Sequence, residues 1–342
     1  MTTDESSVFE TKADYRQSKL DYYEDQFDRW VAGPFKILWS DWRGRVGILV
    51  GLLYVFIGTI GIHLWPEPRS NQGPTMEPAL TNPVHPLGTD RLGQDMLALM
   101  VHATPDMLKM IVAGAIFANM MGVSIGLYSG YVSGTTDKVL MTLVDTVMSI
   151  PGIPLLIVIA AILQPTNPYL IGIILAIQSW AGVARNIRAQ VFPLVQKEHV
   201  EASRALGQPM SNVLLRQILP HLLPYIFIGF LGGATSIVFA SVALYFLGIL
   251  PFTVQNWGVV LNYAYQDASV LYSLSAAHWI VVPLVTIVGL TVALTLLAQA
   301  FDQVFNPRVR ARHKSRKQAK KVIDGDGEAV DGAGKATSQD TI

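Results

Sequence analysis

Val46-Gly-Ile-Leu-Val-Gly-Leu-Leu-Tyr-Val-Phe-Ile-Gly-Thr-Ile-Gly-Ile-His-Leu-Trp65 is a run of 20 residues with no acidic or strongly basic side chain. Arg43 and Arg45 precede it, and Pro66 and Pro68 follow. A helix rises about 1.5 Å per residue, so a run of this length spans a hydrocarbon core of about 30 Å. It reads as a first transmembrane helix, 46–65. Five more apolar runs follow, approximately Met107 to Tyr131, Lys138 to Leu163, Tyr169 to Gln190, Leu222 to Leu247 and Ala277 to Ala300. The spacing predicts an all-α membrane protein of about six transmembrane helices.

Composition agrees. Of the 342 residues 51% are hydrophobic and only 15% charged, and mean hydropathy is +0.38. Lysine and arginine balance aspartate and glutamate at 25 each, so net charge argues for neither nucleic acid nor acidic ligands. The absence of cysteine excludes disulfides, thiolate metal sites and thiol catalysis. Met1 to Ser40 is polar and acidic, unlike a basic-then-apolar signal peptide, and no cleavage is expected there.

Lysine and arginine mark the cytoplasmic ends of spans. Arg43, Arg45, Lys138, Arg185, Arg188, Lys197, Arg204, Arg216 and the run from Arg308 to Lys317 fall on one side. The connections Gln164 to Pro168 and Gly248 to Ala276 contain neither residue. Both termini are therefore expected in the cytoplasm. The expected organisation is a cytoplasmic amphipathic segment 1–45, a transmembrane domain 46–305 and a disordered cytoplasmic tail 306–342. Within the middle part, the first helix precedes an external segment 66–106 and a five-helix core 107–305. Aromatic residues from Tyr15 to Trp42 alternate with charges, which suits a helix in the headgroup region or one packed on the bundle's cytoplasmic face.

Few polar groups lie at membrane depth. Asp145 sits inside the third span, shortly before Pro151. An ionisable group there serves structural pairing, interface anchoring, or a gating or pathway role. Pro151 and Pro154 should kink the helix, as a hinge or for packing shape. Before the second span, His85, Asp90 and Asp95 could be written as metal ligands. The intervening Gly and Pro favour instead a turn-rich cap, with Asp90 or Asp95 accepting from backbone amides. His63, His102 and His278 fall at or near span ends and read as interfacial polar groups. Gly332-Ala-Gly-Lys-Ala-Thr337 lacks the Ser or Thr after lysine, the upstream glycine and the preceding strand of a phosphate loop. No nucleotide site is expected in this chain, and no cofactor or metal of its own.

Between spans four and five run about 30 residues that are neither apolar enough to span nor low in complexity. The pattern predicts a helix around Glu198 to Leu206 with small residues Ala202, Ser203 and Ala205, ended by Gly207 in the left-handed conformation. A second helix is expected from Pro209 to Leu219, stopped by Pro220, with Met210, Val213, Leu214 and Ile218 packing on the bundle. A compact helical pair of this kind is a docking surface for a soluble partner.

Glu201-Ala202…Ala205-Leu206-Gly207…Ile218-Leu219-Pro220 resembles the EAA loop of ATP-binding-cassette importer permeases. The surroundings resemble the dipeptide/oligopeptide permease family, second-subunit type, over approximately Val46 to Arg310. The other matches, in order, are His85-Pro-Leu-Gly-Thr-Asp90…Gly93…Asp95, Met141…Asp145…Pro151-Gly152, Trp180…Ala184-Arg185…Arg188-Ala-Gln190, Phe246-Leu247-Gly248, Asn256-Trp257-Gly258 and Asn306-Pro307-Arg308. The chain departs from the pattern at Ser203, in place of the third loop alanine, and at Gln217, where an apolar residue is expected. Ala298-Gln299-Ala300 also replaces an acidic-glycine segment after span six.

The resemblance implies an importer of two permease subunits, two ATPase subunits and an external solute-binding protein in the cell membrane. ATP and magnesium would lie on the partner ATPase. Glu201, Ala202, Ser203, Ala205 and Gly207 would dock in its groove, and the substrate, a di- or oligopeptide, would pass between this chain and its partner permease. Related permeases serve oligosaccharides or metal complexes. A secondary transporter would want an inverted repeat and several intramembrane charges, and a membrane hydrolase would want paired catalytic groups. The residues supply neither.

Overall fold

The computed structural model describes residues 38–253, 255–267 and 272–305. Most of the N-terminal amphipathic segment, Asn306-Pro307-Arg308, the basic run, the tail and Gly332 to Thr337 lie outside the described residues.

The first helix, α1 (Trp42–Leu64), starts at Asp41, whose carboxylate accepts from the Arg43 amide at 3.0 Å, and passes through a π-helical turn at Ile57–Gly61. Helix α2 (Met96–Val132) is capped by Asp95, which accepts from the Leu97 amide at 2.9 Å. It begins eleven residues before the expected Met107, because His102, Pro105 and Asp106 dilute the apolar signal without stopping the helix. The third and fourth spans are each broken. Helices α3 (Gly134–Ser149) and α4 (Gly152–Leu163) meet at 81°, and α5 (Pro168–Leu175) and α6 (Ser179–Val195) at 55°. The first break is sharper than the expected kink. The second was not expected at all.

Pro151 lacks an amide hydrogen and drives the preceding Ile150 to an extended conformation, with ψ of 130°, which ends α3. After α6 come the short α7 (Glu198–Ala205) and α8, which runs from Met210 to Phe246. Pro220 does not stop α8, contrary to expectation. A π-helical stretch, Val213–Ile218, precedes it, and Pro220 occupies the first turn of the α-helix that follows, where no amide hydrogen is needed. Helix α9 (Trp257–Gln266) and the last span, α10 (His278–Phe305), complete the bundle. Among the described residues four helices are long and apolar enough to cross a membrane, and counting each bent pair as one span makes six.

Helix α2 is the axis, packing on α5, α6 and α8. Small residues set the approach: a Cβ added to Gly126 would lie 2.5 Å from the Ala184 carbonyl oxygen, and one on Gly122 2.6 Å from Val183 Cβ. In lipid, where apolar burial gives little net drive between helices, such close packing is what holds them together. Gly114 meets the Gly172 backbone in the same way. Gly229, Gly232 and Gly233 on α8 behave differently. The last two have nothing among the described residues within 4 Å of a would-be Cβ, and only 22% of the most apolar stretch of α8 is buried.

The connection before α10, read in the sequence only as a stretch without Lys or Arg, holds α9 against the core. Asn256 accepts from the Gly258 amide at 2.8 Å and donates to Ser241 at 2.9 Å, capping α9 and tying it to α8. Trp257 is fully buried and donates to the Met100 carbonyl at 3.3 Å. Gly258 lets α9 touch α8, since a Cβ there would lie 2.5 Å from the Val242 oxygen.

At the same end, Asp90 accepts from the Leu92 and Gln94 amides at 2.9 and 2.7 Å. Burial pushes its carboxyl above the usual carboxylate range, against the pull of those amides. The cap reading holds for both carboxylates, with His85 buried beside Asp95 at 3.7 Å. His278 is not an interfacial group: it is buried, and its ring nitrogens reach the Thr89 and Ser275 carbonyls at 2.9 and 3.0 Å, pinning segment 66–95 to α10.

Candidate functional site

The other end of the bundle gathers the Glu201 to Pro220 loop, the close of α2 and α6, and the start of α3 and α8. The Arg204 guanidinium lies 4.9 Å from the Tyr131 ring, and Phe227 of α8 stacks on Phe301 of α10 at 5.5 Å. Glu198 and Glu201 occupy the first turn of α7, where the helix dipole favours an anion. The C-terminus closes as anticipated. Gly207, at φ +73°, lets its amide reach the Arg204 carbonyl at 3.0 Å and the Gln208 amide reach the Ser203 carbonyl at 3.1 Å. This is the paired closure of a Schellman turn.

Helix α7 has two faces. Val200 is buried among Val195, Val213, Ile218 and Leu222, with Met210 and Leu214 packed against them, so the apolar stripe of the loop does face the bundle. Glu201, Ala202, Ala205 and Gly207 are exposed, as is Leu206 at 82%. Between α7 and the ends of α2 and α6 lies a cleft of about 640 Å³, lined by Tyr131's neighbours Gly130 and Ser133, by Phe192, and by Glu201 and Arg204. Ser203 turns inward and is half-buried. Its hydroxyl accepts from Gln217 Nε2 at 3.0 Å, so the two loop departures are bonded to each other.

Asp145 pairs with Arg185 across α3 and α6, both side chains about half exposed. A second pair, unnoticed in the sequence, lies two helical turns away. Asp137 is buried, receives Arg188 Nε at 2.6 Å and a second guanidinium nitrogen, and also accepts from Ser129 of α2. The forked geometry fits a carboxylate on two nitrogens at once. The signal was present as Asp137 and Asp145 at one-face spacing, opposite Arg185 and Arg188. Asp137 was passed over because Lys138 beside it reads as a span boundary.

Gln178 was also missed. It stands in the break between α5 and α6, and its side-chain amide donates to the Val147 carbonyl at 2.9 Å, in the last turn of α3. Pro151 and Gly152 adjoin it, with Gln178 Oε1 2.5 Å from where a Gly152 Cβ would sit. The two broken spans thus meet at their breaks, and below them α3 and α6 are tied twice by charge.

Up to six apolar spans, the central α2 among them, with a small exposed helical turn at one end, define a multi-pass membrane protein. Residues 122–311 match the family of binding-protein-dependent transport system inner membrane components, and the chain belongs to it. The family is one of transport permease subunits. The chain is 27% identical over 300 residues to the glutathione transport system permease protein of Pectobacterium atrosepticum, covering 83% of this chain and 94% of that protein. It is 27% identical over 295 residues to the dipeptide transport system permease protein of Haemophilus influenzae, covering 81% and 96%. With the oligopeptide transport system permease protein of Bacillus subtilis it shares 29% over 179 residues, 52% of this chain and 58% of that protein.

Proposed function

We propose that this chain forms half of the translocation pathway of an ATP-driven importer for short peptides, with both termini in the cytoplasm. The observation that carries the coupling role is the exposed turn Glu201 to Gly207, backed by its buried anchor Val200. Glu201, Ala202, Ala205 and Gly207 make the exposed docking element for an ATPase subunit, with Ser203 turned inward behind them. Small side chains let a groove close around the helix, and Leu206 offers it an apolar contact. ATP and magnesium bind on that partner, while this chain supplies motion and pathway. The complete assembly has a homologous permease subunit, two ATPase subunits and an external solute-binding protein.

Asp145 and Pro151 serve the gate. Movement of α7 passes directly into α6, and the ion pairs with Arg185 and Arg188 carry α3 along. The breaks at Pro151 and at Gln178 are where those halves turn relative to α4 and α5.

The relatives named for glutathione, dipeptide and oligopeptide transport support a peptide cargo. The test is import of labelled di- and tripeptides into proteoliposomes carrying the whole assembly, with Glu201→Lys beside the native chain. Peptide uptake with the native chain, and ATP hydrolysis uncoupled from uptake with the variant, are expected. Unchanged coupling in Glu201→Lys would refute the docking role.

A further inference from the structure

We infer that Ser203, Gln208 and Gln217 form a polar clasp that sets the direction of the coupling helix, with Gln217 as its positioning residue. This inference rests on the docking role of α7 proposed above. Ser203 Oγ donates to the His199 carbonyl at 2.9 Å and accepts from Gln217 Nε2 at 3.0 Å. The same nitrogen lies 3.4 Å from Gln208 Oε1, which in turn accepts from Asn212 at 3.0 Å. One side chain of α8 therefore holds the middle of α7 and the residue just beyond Gly207.

Helix α7 has only eight residues, too few to hold its own direction or even its own fold in water. Its covalent link to α8 passes through Gly207, the residue in this turn with the widest conformational freedom. Val200 anchors one side of the helix among Val213, Ile218 and Leu222, and Arg204 reaches the Tyr131 ring of α2. The clasp adds a directed polar hold between the middle of α7 and α8, on the stretch that leads into the glycine. Force applied at Glu201 and Ala205 then reaches α8 instead of being spent in the turn.

Gln217 Oε1 is shut from solvent with no hydrogen-bond partner among the described residues, a cost that an apolar side chain at this position would not carry. The bonds made by its Nε2 offset that cost. The chemistry also explains why Ser203 and Gln217 depart from the loop pattern together: a polar group at one position needs its complement at the other, whereas alanine and an aliphatic residue satisfy each other by packing.

The test uses the reconstituted transporter and reads dipeptide imported per ATP hydrolysed. Gln217→Leu is expected to leave the subunits co-purifying and to lower that ratio by about threefold or more, since one partner of a buried bond is lost. The double variant Ser203→Ala with Gln217→Leu replaces both partners and is expected to recover to within about twofold of native. A native ratio in Gln217→Leu, or a double variant no better than the worse single one, overturns the clasp. Glu201→Lys in the same series separates the two readings. If it leaves coupling unchanged the docking role itself fails; if it uncouples while Gln217→Leu does not, only the clasp fails.

Discussion

Gln178 donates its side-chain amide to the Ile150 carbonyl at 2.5 Å, stitching the break in one span to the break in the next. Pro151 leaves that end of α3 without its usual helical donors, and Gln178 supplies the replacement. Gln178→Leu keeps the bulk and removes the donor, leaving the Ile150 carbonyl short of a partner at about 1–3 kcal/mol and the Val147 carbonyl with the Ile150 amide at 3.4 Å. The variant should melt at lower temperature in detergent and transport poorly. A native melting curve would show that the stitch carries no energy.

The two ion pairs between α3 and α6 should differ in weight. Asp137 is buried and forked by Arg188, whereas Asp145 and Arg185 are about half exposed. Asp137→Asn should cost roughly 1–3 kcal/mol, because a charged donor loses its counter-charge. Asp145→Asn should cost under about 1 kcal/mol. Thermal unfolding of both variants side by side checks the order, and Asp145→Asn proving the more damaging would reverse it.

Gly207 holds a φ of +73° with open space where a side chain would go, so any penalty there is conformational and not steric. Gly207→Val should strain the turn by about 1–2 kcal/mol and uncouple ATP hydrolysis from uptake. Gly207→Asn, which tolerates the left-handed region, should retain most coupling. Equal coupling in the two variants would remove backbone conformation as the cause.

Glycines on α2 and α8 should respond oppositely. Gly126→Leu meets Ala184 and Ile187 and should lower the stability of the chain by several kcal/mol at most, in the range of about 1–3 for overpacking. A Cβ at Gly232 or Gly233 meets nothing among the described residues, so Gly232→Leu and Gly233→Leu should leave the melting temperature alone while weakening association with a second permease subunit. Size-exclusion chromatography of the assembly separates the effects; a destabilised isolated Gly232→Leu chain would contradict the open face.

The sequence made the spans legible because lipid demands long apolar runs, and it made the α7 turn legible because Gly207 has few alternatives there. It also announced the break at Pro151, whose ring has a local effect. The break at 176–178 has no proline or glycine to announce it. It exists because Gln178 finds its partners on α3, a tertiary cause. Pro220 misled for the opposite reason: proline is tolerated in a first turn, and it falls in that of the α-helix following the π-helical stretch. His278 looked interfacial by position alone, yet the carbonyl of Thr89 lies 189 residues away in the chain and close in space.

Helix α8 is unbroken over its 37 residues, a rod of about 55 Å. The broken pairs α3–α4 and α5–α6 are elbows by comparison. Gln217 lies in the π-helical stretch Val213–Ile218, and the α-helix from Leu219 to Phe246 continues from it without a break. An elbow can fold while its outer arm stays put. With the two long helices α2 and α8 beside two elbows, the joints of the bundle fall at Pro151 and at Gln178, away from the 37-residue helices that run its full depth.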